Sequence, residues 1–166
     1  MTPALSERMT NYRHVREEIE RGILPLATSV DGAAFELQAS LHGLALRRGG
    51  YVVLEHDGHT RLGQVTDLVP AAETVTSEGL VGPGMGGVQV RLARGSGVVL
   101  DTEGAPFHDA TVRPADSAEV AARLARPGHR AGLTVGELLL APGVPAVLDS
   151  GGLNRHTFMC GQSGSG

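Results

Sequence analysis

The amino-acid sequence predicts a mainly β protein: a small N-terminal β-barrel with a leading helix and a connector helix, ending at the first strand and loop of an α/β domain. Three observations favour this fold class. Short apolar runs alternate with a period of two, clusters of Gly, Asp and Ser separate them, and helical periodicity is confined to two flanking segments. At 166 residues and 41% hydrophobic, the chain can bury the core of one ordinary domain, with little left for a second.

Residues 1–25 are predicted to form an amphipathic leading helix. Apolar residues recur at intervals of three and four, and Gly22 followed by Pro25 ends the pattern. Such a stripe packs either on the barrel or on a neighbouring subunit, and both alternatives remain open here. The stripe consists of Leu5, Met9, Tyr12, Val15 and Ile19.

Residues 26–113 are predicted to form the barrel. From Ala33, apolar and polar residues alternate as in a strand with one buried face, and Asp57-Gly58 between two β-prone runs indicates a hairpin. Gly95-Ser96-Gly97 is predicted to separate two strands. The predicted strands contain Phe35, Leu37, Ala39 and Leu41, then Tyr51–Glu55, Thr60–Val69, Val88–Leu92 and Val98–Leu100.

Residues 114–155 are predicted to form a connector. Asp116 and Glu119 have the spacing of a capping box, and the helix that follows them is predicted to end at Pro127-Gly128. Residues 129–155 are rich in Gly and Pro with two short apolar pieces, which predicts a crossover strap to the α/β domain.

Composition disfavours several function classes. A formal charge of −4 opposes nonspecific DNA binding, and 3% aromatic residues supply few platforms for stacking bases. Cys160 is the single cysteine, so no internal disulfide can form. Charged residues interrupt the N-terminal segment, which favours neither a signal peptide nor a membrane span. We therefore expect a soluble, cytoplasmic protein without a membrane partner.

Two conspicuous sets of residues are predicted to carry no site. Gly82–Gly87 matches the GxGxxG pattern, but a strand-like segment follows where a dinucleotide site needs a helix. His56 and His59 flank a turn and lack the four converging ligands of a structural metal site. We expect a glycine loop, exposed turn histidines, no bound metal and no catalytic residue.

The C-terminal residues carry the clearest chemical signal. A P-loop has two glycines five positions apart, then Lys and Ser or Thr, because backbone amides surround the phosphates while the Lys supplies charge and the hydroxyl binds Mg²⁺. A β-prone run, Thr157–Cys160, precedes two glycines with this spacing, and the Lys position lies beyond Gly166. The predicted nucleotide-binding residues are Gly161, Gln162, Ser163, Gly164, Ser165 and Gly166.

A family resemblance follows from these residues. The segment GGLNRHTFMCGQSGSG resembles the start of the ATPase domain in HerA-type ATPases, the FtsK-like branch of hexameric P-loop motors, where an Arg-His pair precedes the strand and loop. Residues 31–68 are similar to the HAS-barrel at the N-terminus of HerA, and residues 112–139 to its connector. By this resemblance, residues 156–166 begin a RecA-like ATPase domain that is truncated within its Walker A motif.

The resemblance implies the N-terminal fragment of an ATP-driven DNA translocase that acts in DNA-end processing or antiphage defence. ATP and Mg²⁺ would bind to the full-length protein, with Arg155 and His156 at the nucleotide site or a subunit interface. The fragment itself is expected to be inactive and to bind neither ATP nor Mg²⁺ tightly. The implied partners are identical subunits in a hexameric ring, a nuclease or defence effector docked on the barrel, and DNA through the motor domain.

Other interpretations of the same residues remain open. The chain fits a stand-alone β-barrel interaction module without nucleotide chemistry, and it fits the N-terminus of another P-loop motor, such as a rotary ATPase subunit or a packaging motor. The terminal Gly and Ser residues also match a flexible linker in composition.

Overall fold

The computed structural model describes residues 5–23, 25–77, 88–101, 104–124 and 132–149. The chain divides into two compact units, residues 1–115 and 116–166. In chain order the elements are α1 (Leu5–Gly22), β1 (Leu26–Ser29), β2 (Ala34–Ser40), β3 (Tyr51–His56), β4 (His59–Ser77), β5 (Val88–Val99), β6 (Phe107–Pro114), α2 (Ser117–Leu124), β7 (Gly132–Glu137) and β8 (Pro145–Asp149).

Six strands of the first unit close into an antiparallel barrel with the order β1-β2-β5-β4-β3-β6. The four-residue strand β1 pairs with both β2 and β6 and so closes the sheet. The predicted fold class is confirmed at this level: the described residues are mainly β, with a small closed barrel and two helices. Sequence alternation did not predict β1 or β6, because β1 is very short and the alternation of β6 is interrupted.

The barrel interior is filled mainly by inward-facing residues of β1, β2, β3, β4 and β6. In β2 the predicted alternation is confirmed, since Phe35, Leu37 and Ala39 are at most 2% exposed while the residues between them are exposed. Leu41 was wrongly included, because it lies beyond the end of β2 and is 37% exposed. The core cluster contains Ala27, Phe35, Leu37, Ala39, Leu46, Val52, Leu54, Val65, Phe107, Ala110 and Val112.

The predicted strand break at Gly95-Ser96-Gly97 is wrong, because β5 runs without interruption from Val88 to Val99. Both glycines lie under core side chains. A Cβ atom on Gly97 would overlap the ring of Phe35, and one on Gly95 would stand 3.2 Å from Cγ of Leu37. These glycines therefore make room for the core and do not form a turn.

The predicted β3–β4 hairpin is confirmed. His56 pairs with His59, so the loop has two residues, Asp57 and Gly58. Their φ angles are 50° and 75°, as a type I′ turn requires at both central positions. Asp-Gly satisfies this requirement because glycine has no Cβ and Asp tolerates the left-handed region.

The leading helix α1 packs on an extension of the barrel sheet. Tyr12, Val15, Ile19 and Ile23 contact Val90 of β5, which is fully buried. For Tyr12, Val15 and Ile19 the structure thus shows the first of the two alternatives, packing on the barrel, whereas Met9 of the predicted stripe is 49% exposed. Neither helix within the described ranges combines the length and the apolar character required to cross a membrane.

In the second unit, the predicted capping box at the start of α2 is confirmed. The amide of Glu119 donates to Oδ1 of Asp116 at 2.8 Å, and the amide of Asp116 donates to Oε2 of Glu119 at 3.0 Å. Within the segment predicted as a strap, β7 and β8 form a two-stranded antiparallel sheet. Sequence patterns missed this hairpin, because β7 exposes every residue and so has no alternation.

Candidate functional site

The predicted nucleotide-binding residues Gly161–Gly166 lie outside the described residues, as do Arg155 and His156. Their role therefore stays a prediction. Gly82–Gly87 also lies outside the described residues, but the strand expected after it is confirmed as the first part of β5.

The turn histidines lie at the tip of the β3–β4 hairpin. Nε2 of His56 is 3.2 Å from Oδ2 of Asp57, and the His56 ring lies 6.5 Å from the ring of Phe107 at a tilted angle. Among the described residues, no three His, Cys, Asp or Glu side chains converge to hold a metal ion. The described part of the hairpin thus offers ring packing and one contact between an imidazole and a carboxylate.

A groove of about 620 Å³ crosses the outer face of the barrel. Thr28, Glu36, Ser96 and Asp67 are paired in register across β1, β2, β5 and β4, and all four line it. Since every second residue of a strand faces the same side, the next row of outer residues also lines the groove. That row consists of Leu26, Gln38, Arg94 and Val69.

A β-bulge in β4 directs Asp67 into the groove. Val65 pairs with Gly97 and Asp67 pairs with Ser96, so Thr66 is an extra residue on β4. Val65 and Leu68 both contact the core although they are three residues apart. The bulge therefore changes which residues of β4 face inward, and it turns Asp67 and Val69 to the outside.

A second bulge directs Asp109 to the same groove. Ala27 pairs with Ala110 and Ser29 pairs with Phe107, which leaves an extra residue on β6. Phe107 and Ala110 are both buried although they are three residues apart. The backbone of Asp109 adopts a left-handed φ of 55° between them, and its amide donates to Oγ1 of Thr28 at 3.5 Å.

Helix α1 sets one end of the groove. Val90 lies under the helix, while Leu92, Arg94 and Ser96 continue along the same face of β5 and line the groove. Ile23, directly after α1, also lines it. The groove therefore begins where the helix ends.

The groove combines acidic and aliphatic surface. Its charged lining consists of three carboxylates, Glu36, Asp67 and Asp109, and one guanidinium, Arg94. Its aliphatic lining includes Ile23, Leu26, Val69 and Leu92. Such a surface suits a ligand that carries positive charge next to apolar groups, because opposite charges attract and apolar area is removed from water.

Sequence reasoning missed this groove, but a signal for it exists. Inward-facing apolar residues of a regular strand are two apart, whereas Val65–Leu68 and Phe107–Ala110 are three apart. In each case the intervening pair contains an Asp. A departure of this kind from strict alternation predicts a bulge and an outward-directed polar residue.

Comparisons with known proteins identify no family for this chain. A scan against protein-family models finds no match, and a search of curated proteins finds no match. Membership of a family therefore stays a prediction from the motif resemblance in the sequence.

Proposed function

We propose that this chain is the N-terminal part of a HerA-like, ATP-driven DNA translocase, in which a HAS-type barrel serves ring assembly and partner docking. The order of parts along the chain carries the proposal. A closed antiparallel barrel is followed by a capped connector helix and then by a β-prone run with the P-loop spacing at Gly161–Gly166. This is the order that the resemblance implies for such a motor.

In the proposed mechanism, Gly161–Gly166 would hold the β- and γ-phosphates of ATP through backbone amides. Ser163 and Ser165 are small, and the glycines have no Cβ, so the backbone can approach the phosphates closely. The cation that the loop requires would be the Lys after Gly166, since the chain contains no Lys. Mg²⁺ would be held by the hydroxyl that follows this Lys and would neutralise phosphate charge.

The barrel has a supporting role in this proposal. The chain has a formal charge of −4 and no Trp, a poor composition for gripping a phosphate backbone or stacking bases. DNA contact is therefore assigned to the motor domain. The barrel keeps neighbouring subunits in register and presents its outer face to a partner such as a nuclease or a defence effector.

The most direct test is the reading frame downstream of Gly166. The proposal expects Lys at the next position, then Ser or Thr, and later a Walker B carboxylate. A stop codon at that point, or residues without this pattern, contradicts the proposal.

A functional test uses the full-length product. Gly166→Val should abolish ATP hydrolysis, because a side chain at this position blocks the approach of the amides to the phosphates. Gly84→Val, in the other glycine-rich segment, is the matched control and should keep the wild-type rate. The 166-residue chain alone should show no hydrolysis, and robust turnover by it would place catalysis elsewhere.

The alternative is a barrel interaction module without nucleotide chemistry. The groove on the outer face of the barrel favours it, because a docking surface of this kind needs no motor. The same experiment separates the two functions, since a module of this type would show no ATP turnover at full length.

A further inference from the structure

We draw no further inference here: the strongest candidate, the exposed aliphatic surface that Leu133, Val135, Leu139, Val147 and Leu148 form on the β7–β8 hairpin, carries no proposal because nothing in the described part of the chain shows what covers it.

Discussion

Phe35 of β2 and Gly97 of β5 are directly paired, and the phenyl ring of Phe35 occupies the space where a side chain on Gly97 would stand. The carbonyl oxygen of Gln64 lies 2.5 Å from the same position. The barrel therefore has room for the ring of Phe35 because the residue paired with it on β5, Gly97, has no side chain.

Gly97→Ala is expected to lower the free energy of unfolding by about 3 kcal/mol, because the new methyl group forces the ring and the backbone of β4 to move. Gly22→Ala is the control, since a methyl group there meets no atom within 4 Å. Urea unfolding of both variants measures the difference. Equal stability of the two variants would show that Phe35 can move without cost.

The backbone of Asp109 gives a second prediction. At a φ of 55°, Asp and Asn are tolerated, whereas a β-branched residue is strained. Asp109→Val should cost about 1–3 kcal/mol, while Asp109→Asn should be close to neutral for folding. Chemical denaturation of both variants checks the values, and a Val variant as stable as the Asn variant would argue against a left-handed backbone at this bulge.

We expect the stability of the fold to depend on pH through Asp31, which lies in the turn between β1 and β2. Oδ1 of Asp31 accepts hydrogen bonds from the amides of Ala34 and Ala33 at 2.9 and 2.8 Å. These amides, Ala34 first, hold the pKa of Asp31 below its ordinary value of 3.8. Because the pKa of Asp31 is lower in the folded state, its carboxylate stabilises the fold at pH values above the ordinary pKa. This stabilisation is lost as the pH falls through the folded pKa.

Asp31→Ala should therefore be less stable than the wild type at about pH 7, and the gap should narrow below about pH 4. Thermal unfolding of both proteins across this range provides the measurement. Asp57→Ala, at the exposed β3–β4 turn, tests whether the effect belongs to any turn aspartate. A gap that stays constant with pH would exclude the carboxylate as its source.

Two buried serines provide the fourth prediction. Oγ of Ser29 donates to the carbonyl of Ala34 and accepts from the amide of Gly32 at 2.9 Å. Oγ of Ser40 has no hydrogen-bond partner among the described residues. Ser29→Ala should lower the free energy of unfolding by about 1–2 kcal/mol, and Ser40→Ala should raise it by up to about 1 kcal/mol. Loss of stability in Ser40→Ala would indicate a partner for its hydroxyl.

Features that depend on neighbouring residues in the chain could be predicted from the sequence. The alternation around Phe35, the Asp57-Gly58 turn and the capping box at Asp116 are all such local patterns, and the structure confirms them. The local sequence of Gly95-Ser96-Gly97 predicts a break between two strands, because glycine often marks the end of a strand. Its actual role depends on Phe35 and Leu37 across the sheet, which the local sequence does not reveal.

The candidate sites also include features that neighbouring residues predict and features that depend on distant strands. The P-loop pattern at Gly161–Gly166 is contiguous, and so it can be recognised in the sequence alone. The carboxylates of the groove come from β2, β4 and β6, and two of them depend on bulges whose partners lie on other strands. No window of sequence contains all three, so their proximity follows from the strand order.

Circular closure of the six strands also restricts how other molecules can attach. Where a strand has neighbours on both sides, its amide and carbonyl groups are already used, and an incoming chain cannot extend the sheet. Binding at the closed wall must therefore depend on contacts with side chains. Evolution can then exchange partners by substituting a few outward residues, while the interior stays intact.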